Sequence, residues 1–381
     1  MAQKIGLIAP YESTNYGTML QAYALARKIG ELGHECEYVD YTPYYKRSFW
    51  ERAVRKVKRI MHVPLDTNEL LYEGVDDYNF MFSETFAPLR MSSQTFSDKY
   101  IPHSAIRYTP KNIRRCLRQY ERLIVGSDQT WSMERYRNMR GLYMLPFAKN
   151  NIKCYAYAPS LGTTKITDEH AAILKRQLKK FEIISCREQS NCDVLSKLTG
   201  QKVSFVADPT LLLSGDEWRK IADYEGLPEK YIMAYILGEK ECISDYAEQL
   251  GEQLGLPIFY VCTRSKYLDK KHHFQMDLRP EQWIAAIDRA ACVVTDSFHG
   301  SLFSINMSTN FYVFTKREEI RNDFNDNDRI SELLRTFHLE ERFVHDDYHE
   351  VYGQAIDFES IQSNIVNLRK QSMDYLQSIL E

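Results

Sequence analysis

Short apolar runs separated by helix-length amphipathic segments recur along this chain, and the whole pattern occurs twice. In the first cycle Lys4 to Ala9, Glu35 to Asp40, Arg122 to Val125, Cys154 to Ala158, Glu182 to Ser185 and Val203 to Ala207 read as strands, with a helix over Gly17 to Leu32. Runs this short and this apolar predict a parallel sheet covered on both faces. A second cycle begins near Lys230. Strands are expected at Tyr231 to Leu237, Pro257 to Cys262, Cys292 to Thr295 and Phe311 to Phe314. Helices are expected over Cys242 to Leu254, from Pro280 to about Ala290, and from about Gly300; Pro280 suits a first helical position. The expected class is therefore α/β, with two Rossmann-like halves facing a cleft. Residues 1–214 form the first, with an irregular insertion over about 41–113, and residues 215–353 form the second. Polar Leu213-Ser214-Gly215-Asp216 marks the boundary. In 354–381 the spacing of Ile361, Ile365, Leu368, Tyr375, Leu376 and Ile379 predicts a helix that packs back across a domain. In such folds ligands bind at the carboxyl ends of the strands, so the loops there hold the candidates.

Composition narrows the function classes. Over 381 residues the net charge is −3, which offers no global attraction to nucleic acid. The eight cysteines form no C-x-x-C pair and several lie in apolar runs, the pattern of reduced, buried thiols rather than of disulfides or zinc. No signal-peptide layout and no membrane-length apolar run is present, which leads to the expectation of a cytoplasmic protein. Lys46, Arg47, Arg52, Arg55, Lys56, Lys58 and Arg59 alternate with Phe49, Trp50, Val54, Val57 and Ile60. That stretch, 46–60, reads either as a solvated helix or as a peripheral contact with an anionic membrane surface.

Four loops could carry chemistry. After Cys292 to Thr295 come Asp296, Ser297, Phe298, His299 and Gly300. The glycine permits close backbone approach, the helix start offers N–H groups to an anion, and His299 can donate or transfer a proton. The competing reading is a Ser297 cap with a packed histidine. Ser185-Cys186-Arg187-Glu188 presents an arginine fork suited to carboxylate or phosphate, or else an ion pair with Glu188. Gly126-Ser127-Asp128-Gln129-Thr130-Trp131 is polar and ends in a large ring. Ser13-Thr14-Asn15-Tyr16-Gly17 follows the first strand without a G-x-G-x-x-G or P-loop pattern, which argues against nicotinamide and P-loop nucleotide enzymes. His272-His273 is a weak metal candidate in a charged loop, and no ligand cluster accompanies it.

Taken in order, several strings resemble the polysaccharide pyruvyl transferase family. They are Asn15-Tyr16-Gly17-Thr18-Met19-Leu20-Gln21, Val125 to Trp131, Tyr157-Ala158-Pro159-Ser160-Leu161-Gly162, Ser185 to Glu188, Asp208-Pro209-Thr210-Leu211, and Thr295 to Gly300. The insertion is where the match is least. The resemblance implies a GT-B-like fold, with the first half on the acceptor side and the second on the donor side. It implies transfer of the pyruvyl group of phosphoenolpyruvate to sugar hydroxyls of a bacterial surface glycan, or of its polyprenyl-pyrophosphate-linked precursor, as a cyclic ketal with release of phosphate. No cofactor or metal is required by that chemistry. The family's functional arginine and histidine match Arg187 and His299, which become the catalytic candidates; for such a reaction Ser297 and the Gly300 N–H read as further donor contacts, and Asp128 either as a base for the acceptor hydroxyl or as a loop-structuring carboxylate. Asn15, Tyr16, Gly17, Asp128, Gln129 and Trp131 become acceptor-side candidates. The same cleft suits a nucleotide-sugar glycosyltransferase of GT-B type, and outside enzymes a non-catalytic glycan-binding partner in polysaccharide assembly.

Overall fold

The computed structural model describes residues 4–43, 57, 61, 87–139, 141–148, 151–238, 241–263, 274–275, 277–315, 327–345 and 354–381. The basic stretch 46–60, apart from Val57, and the His272-His273 pair fall outside them, as does most of the insertion before Ala87.

Strands β1 (Ile5–Ile8), β2 (Cys36–Tyr38), β3 (Arg122–Val125), β4 (Lys153–Ala156), β5 (Phe181–Cys186) and β6 (Val203–Phe205) make one sheet in the order 2-1-3-4-5-6. Strands β7 (Ile232–Ile236), β8 (Ile258–Cys262), β9 (Phe274–Gln275), β10 (Cys292–Thr295), β11 (Phe311–Phe314) and β12 (Phe343–Val344) make the other, in the order 12-11-10-7-8-9. Every pairing is parallel. Apolar runs such as Leu123-Ile124-Val125 and Val293-Val294 are buried because helices cover both faces, as their lack of alternation requires.

The strand order reverses between β1 and β3 in the first sheet and between β10 and β7 in the second. Such switch points open a crevice beyond the carboxyl ends of the strands. The loops after β1, β3 and β10 are the three that hold Gly17, Asp128 and His299, so topology alone directs these residues to the two crevices.

Tyr16 and Tyr23 are packing residues where the first helix, Tyr16–Glu31, meets the second half. Tyr16 stacks on Trp283 at 5.3 Å between ring centroids, Trp283 meets Phe303 at 5.0 Å, and Phe303 meets Trp218 at 5.0 Å. Tyr23 continues the series at 5.7 Å from Trp218. Each such pair contributes about 0.5–1.5 kcal/mol beyond the area it buries.

The polar segment expected at the boundary begins a short packed helix. Ser214 and Glu217 form a capping box that starts a short helix, Gly215–Arg219. A Cβ on Gly215 would lie 2.7 Å from the Asn306 carbonyl oxygen. The final helix spans Phe358–Leu380 and returns to the first sheet. There the Ile379 carbonyl accepts a hydrogen bond from Arg122 Nη1 at 2.6 Å, and Tyr375 Oη donates to the Ala156 carbonyl at 2.7 Å. All eight cysteines are free, seven of them buried. Among the described residues no helix is long and apolar enough to cross a membrane.

Candidate active site

The helix that follows β10 begins at Phe298, two residues before the expected start, so His299 sits in its first turn. Ser297 caps that helix by accepting the Gly300 N–H at 3.2 Å. Asp296 Oδ1 accepts the Leu237 N–H at 2.7 Å and ties the loops after β10 and β7 together. The anion pocket expected from Ser297 and the Gly300 N–H is therefore already used within the turn. His299 is the residue this turn projects, toward the first half.

Two elements of the first half receive it. Gly17 lies in the first turn of its helix, and a Cβ there would overlap the His299 ring. Asn15 caps the same helix through the Thr18 N–H at 3.4 Å. Asp208 follows β6, and its Oδ2 lies 3.7 Å from His299 Nε2.

Asp208 is the centre of the arrangement. Its Oδ1 accepts from the Thr210 N–H at 3.0 Å and Thr210 Oγ1 at 2.9 Å. Its Oδ2 accepts from Ser127 Oγ at 2.9 Å and Arg187 Nη1 at 2.8 Å. Burial alone would raise the carboxyl's pKa, but His299, Arg187 and the Thr210 N–H outweigh it and hold the group well below the usual carboxylate range.

Arg187 leaves the carboxyl end of β5 with its side chain fully buried. Its Nε donates to Glu188 at 3.0 Å, so the ion pair with Glu188 weighed from the sequence does form. Its Nη2 lies 3.8 Å from Asp128 Oδ1, beyond hydrogen-bonding range. The guanidinium also lies 4.6 Å over the Phe298 ring, and Arg329 approaches the same ring at 5.8 Å. Both cations are attracted to the π-face of Phe298. Two buried donors of this cluster have no hydrogen-bond partner: Arg187 Nη2 and His299 Nε2. A buried donor left without a hydrogen bond is costly, and here each lies just beyond bonding distance of a carboxylate, Nη2 at 3.8 Å from Asp128 and Nε2 at 3.7 Å from Asp208.

Asp128 adopts a left-handed backbone, φ +74°. Its carbonyl oxygen accepts from the Thr130 N–H at 2.7 Å and the Ser160 N–H at 2.9 Å, which offset the strain. Its Oδ2 accepts from Thr18 Oγ1 at 3.0 Å. Burial pushes its pKa up, but Arg187, Arg135 and His299 overcome this and bring it to about 2. A carboxylate held ionised beside Arg187 can balance that charge, and its low pKa makes it a weak proton acceptor near neutral pH.

The acceptor-side candidates divide. Trp131 is fully buried, its Nε1 donates to the Tyr143 carbonyl at 3.0 Å, and its ring meets Phe181 edge-on. It cannot present a face to a sugar. Tyr16 is likewise buried, with Oη donating to the Leu278 carbonyl at 2.9 Å. Asn15 serves the cap and Gly17 the approach of His299. Gln129, beside Asp128, is half-buried, as is Asn15. Asp208, Ser127 and Thr18 were not singled out from the sequence. Asp208-Pro209-Thr210 carried a signal, since Asp before Pro marks a helix cap, but a cap gives no hint of the second oxygen's partners.

A family model described as polysaccharide pyruvyl transferase matches residues 15–316. The chain belongs to the polysaccharide pyruvyl transferase family. The matched span of this family member runs from the Asn15 cap past β11, and so contains Gly17, Asp128, Arg187, Asp208 and His299. No match is found among curated proteins. Among solved structures it is similar to UDP-GlcNAc 2-epimerase from Methanocaldococcus jannaschii, with a TM-score of 0.51 and 9% identity over 96% of this chain and 100% of that one. It is also similar to Arabidopsis thaliana UGT89C1 complexed with UDP-L-rhamnose, with a TM-score of 0.50 and 9% identity over 100% of each chain. At such low identity these likenesses describe the fold, which is of GT-B type with two facing parallel sheets. The family implies a transferase that acts on polysaccharide.

Proposed function

We propose that this family member transfers the pyruvyl group of phosphoenolpyruvate to two hydroxyls of a glycan, forming a cyclic ketal and releasing phosphate. The observation that carries the reading is that Arg187 and His299 come from opposite halves to one carboxylate, Asp208, at 2.8 Å and 3.7 Å, while their buried Nη2 and Nε2 make no hydrogen bond. A small donor bearing a carboxylate and a phosphate on one carbon skeleton supplies an anion to each.

The chemistry balances as follows. A proton adds to the methylene carbon, the adjacent carbon becomes cationic, and the first sugar hydroxyl forms a bond to it. The carbon–oxygen bond to phosphate then breaks and the second hydroxyl closes the ring. One hydroxyl proton replaces the proton spent on the methylene carbon, and the other leaves with hydrogen phosphate. Arg187, fixed by Asp208 and Glu188, orients the donor through its remaining Nη2. His299 Nε2–H donates to the phosphate as its charge grows in the transition state. Asp128, Glu188 and Asp208 keep the cationic groups in place before the donor arrives.

The test measures phosphate release from phosphoenolpyruvate with glycan acceptors, comparing wild type with Arg187→Lys and His299→Gln. Both variants are expected to lose about 100-fold or more in kcat/KM. Turnover near wild type in both would refute the assignment. Thermal protection by a nucleotide sugar but not by phosphoenolpyruvate would instead favour a glycosyltransferase.

A further inference from the structure

The Asp208 turn and the His299 turn belong to different halves, and Asp208 Oδ2 and His299 Nε2 lie 3.7 Å apart. Each turn opens a helix: Pro209–Leu212 after Asp208, and Phe298–Met307 from the turn of His299. At the far ends of these helices one side chain joins them. Asn306 Nδ2 donates to the Thr210 carbonyl at 3.1 Å and the Leu213 carbonyl at 2.8 Å. Arg369, on the final helix, completes the join. Its Nε donates to the Leu211 carbonyl at 2.7 Å, and its Nη2 donates to Asn306 Oδ1 at 3.0 Å. Three carbonyls of the short helix and its end thereby gain donors from outside it, two from Asn306 and one from Arg369, with Trp218 Nε1 also donating to the Thr210 carbonyl at 2.9 Å.

Nearby contacts brace the same segment. Ser372 Oγ accepts the Ala207 N–H at 2.8 Å, one residue before Asp208, and Gln371 Nε2 donates to the Phe205 carbonyl at 2.9 Å. All of these partners lie on Phe358–Leu380, beyond the residues matched by the family model.

We propose that Arg369, acting through Asn306, is a positioning residue that sets the Asp208 turn against the His299 turn and so makes the final helix part of the site's geometry. Neither Arg369 nor Asn306 is among the groups placed at the reacting atoms. Their effect passes through two helices. A lysine at 369 keeps the charge and stem but cannot span Leu211 and Asn306 at once. An aspartate at 306 still accepts from Arg369 but has no N–H for Thr210 and Leu213.

Amide hydrogen exchange on the full chain, read by mass spectrometry, tests this with Arg369→Lys and Asn306→Asp. Exchange over 208–213 and 298–307 should rise roughly three- to ten-fold in both, the effect of losing one hydrogen bond, while the helix over 168–177 stays at the wild-type rate. If Arg369→Lys fails to fold, Asn306→Asp decides. An increase confined to 358–380 overturns the proposal, because it marks a simple anchor. The kinetic arm rests on the proposed donor. The KM for phosphoenolpyruvate should rise about three- to ten-fold with acceptor KM unchanged, whereas a smaller folded fraction would lower kcat alone. Unchanged donor KM alongside raised exchange also overturns it. A wild-type protein inactive with phosphoenolpyruvate would sink the donor assignment, and the exchange result would still decide the role of Arg369.

Discussion

Gly17 and His299 share one volume: the side chain that Gly17 lacks would occupy the place of the imidazole ring. The glycine is not there for a turn, since it lies inside the first turn of a regular helix. It is there because a residue of the second half docks against the helix backbone.

Replacing Gly17 with alanine should therefore separate folding from function. Alanine favours a helix over glycine by about 0.5–1 kcal/mol, so the first half should keep its circular dichroism spectrum. The methyl group would displace His299, and a misplacement of about 1 Å costs on the order of 100-fold in turnover. Phosphate release from Gly17→Ala within a few-fold of wild type would show that His299 need not seat here.

Asp128→Asn distinguishes a counter-ion from a base. Asparagine tolerates the left-handed backbone at position 128, so little strain is added. If Asp128 only balances Arg187, the variant should lose less than about ten-fold in kcat. Removing a true general base costs about 100- to 10,000-fold. Steady-state kinetics at saturating donor separates the two.

His170 gives a stability signal at mild acidity. Its Nε2 is 2.8 Å from the Trp131 carbonyl, and burial lowers its pKa below the ordinary 6.5, against the opposing pull of that hydrogen bond. The unfolded chain then binds the proton more tightly than the folded one. Its contribution is complete above pH 6.5 and is lost progressively as pH falls through the folded value. Thermal melts of wild type and His170→Gln from neutral to mildly acid pH should show a shallower fall for the variant. Parallel curves would remove His170 as the cause.

Trp131→Phe tests whether this ring meets the acceptor. The buried Tyr143 carbonyl would lose its donor, at about 1–3 kcal/mol of stability. Chemical denaturation should report that loss while acceptor KM stays at the wild-type value. A raised acceptor KM with unchanged stability would restore Trp131 to the acceptor side.

Much of the scaffold is legible in the chain because buried parallel strands have so few alternatives. Arg122–Val125 and Phe311–Phe314 fall where their apolar runs place them, and the final helix covers Phe358–Leu380 as its spacing implies. The site is harder to read. Arg187 and His299 stand out as polar residues after strands, but Asp208 hides behind its own cap: one oxygen serves Thr210, and nothing local reveals that the other meets Ser127 and Arg187. Trp131 and Tyr16 fail in the opposite direction. An aromatic residue in a loop reads as available until its tertiary neighbours, Phe181 and Trp283, are known.

The return of the last helix to the first sheet has a bearing on the order in which the molecule is completed. Arg122 and Ala156 lie in strands made early, yet their partners Ile379 and Tyr375 are joined only after the whole second half. During synthesis the first half waits, its sheet partly uncovered, until the second half has emerged and the closing helix can fold over it. The two halves therefore cannot be exchanged with those of a relative as free modules. A chimaera must carry its first half and its final helix from the same parent.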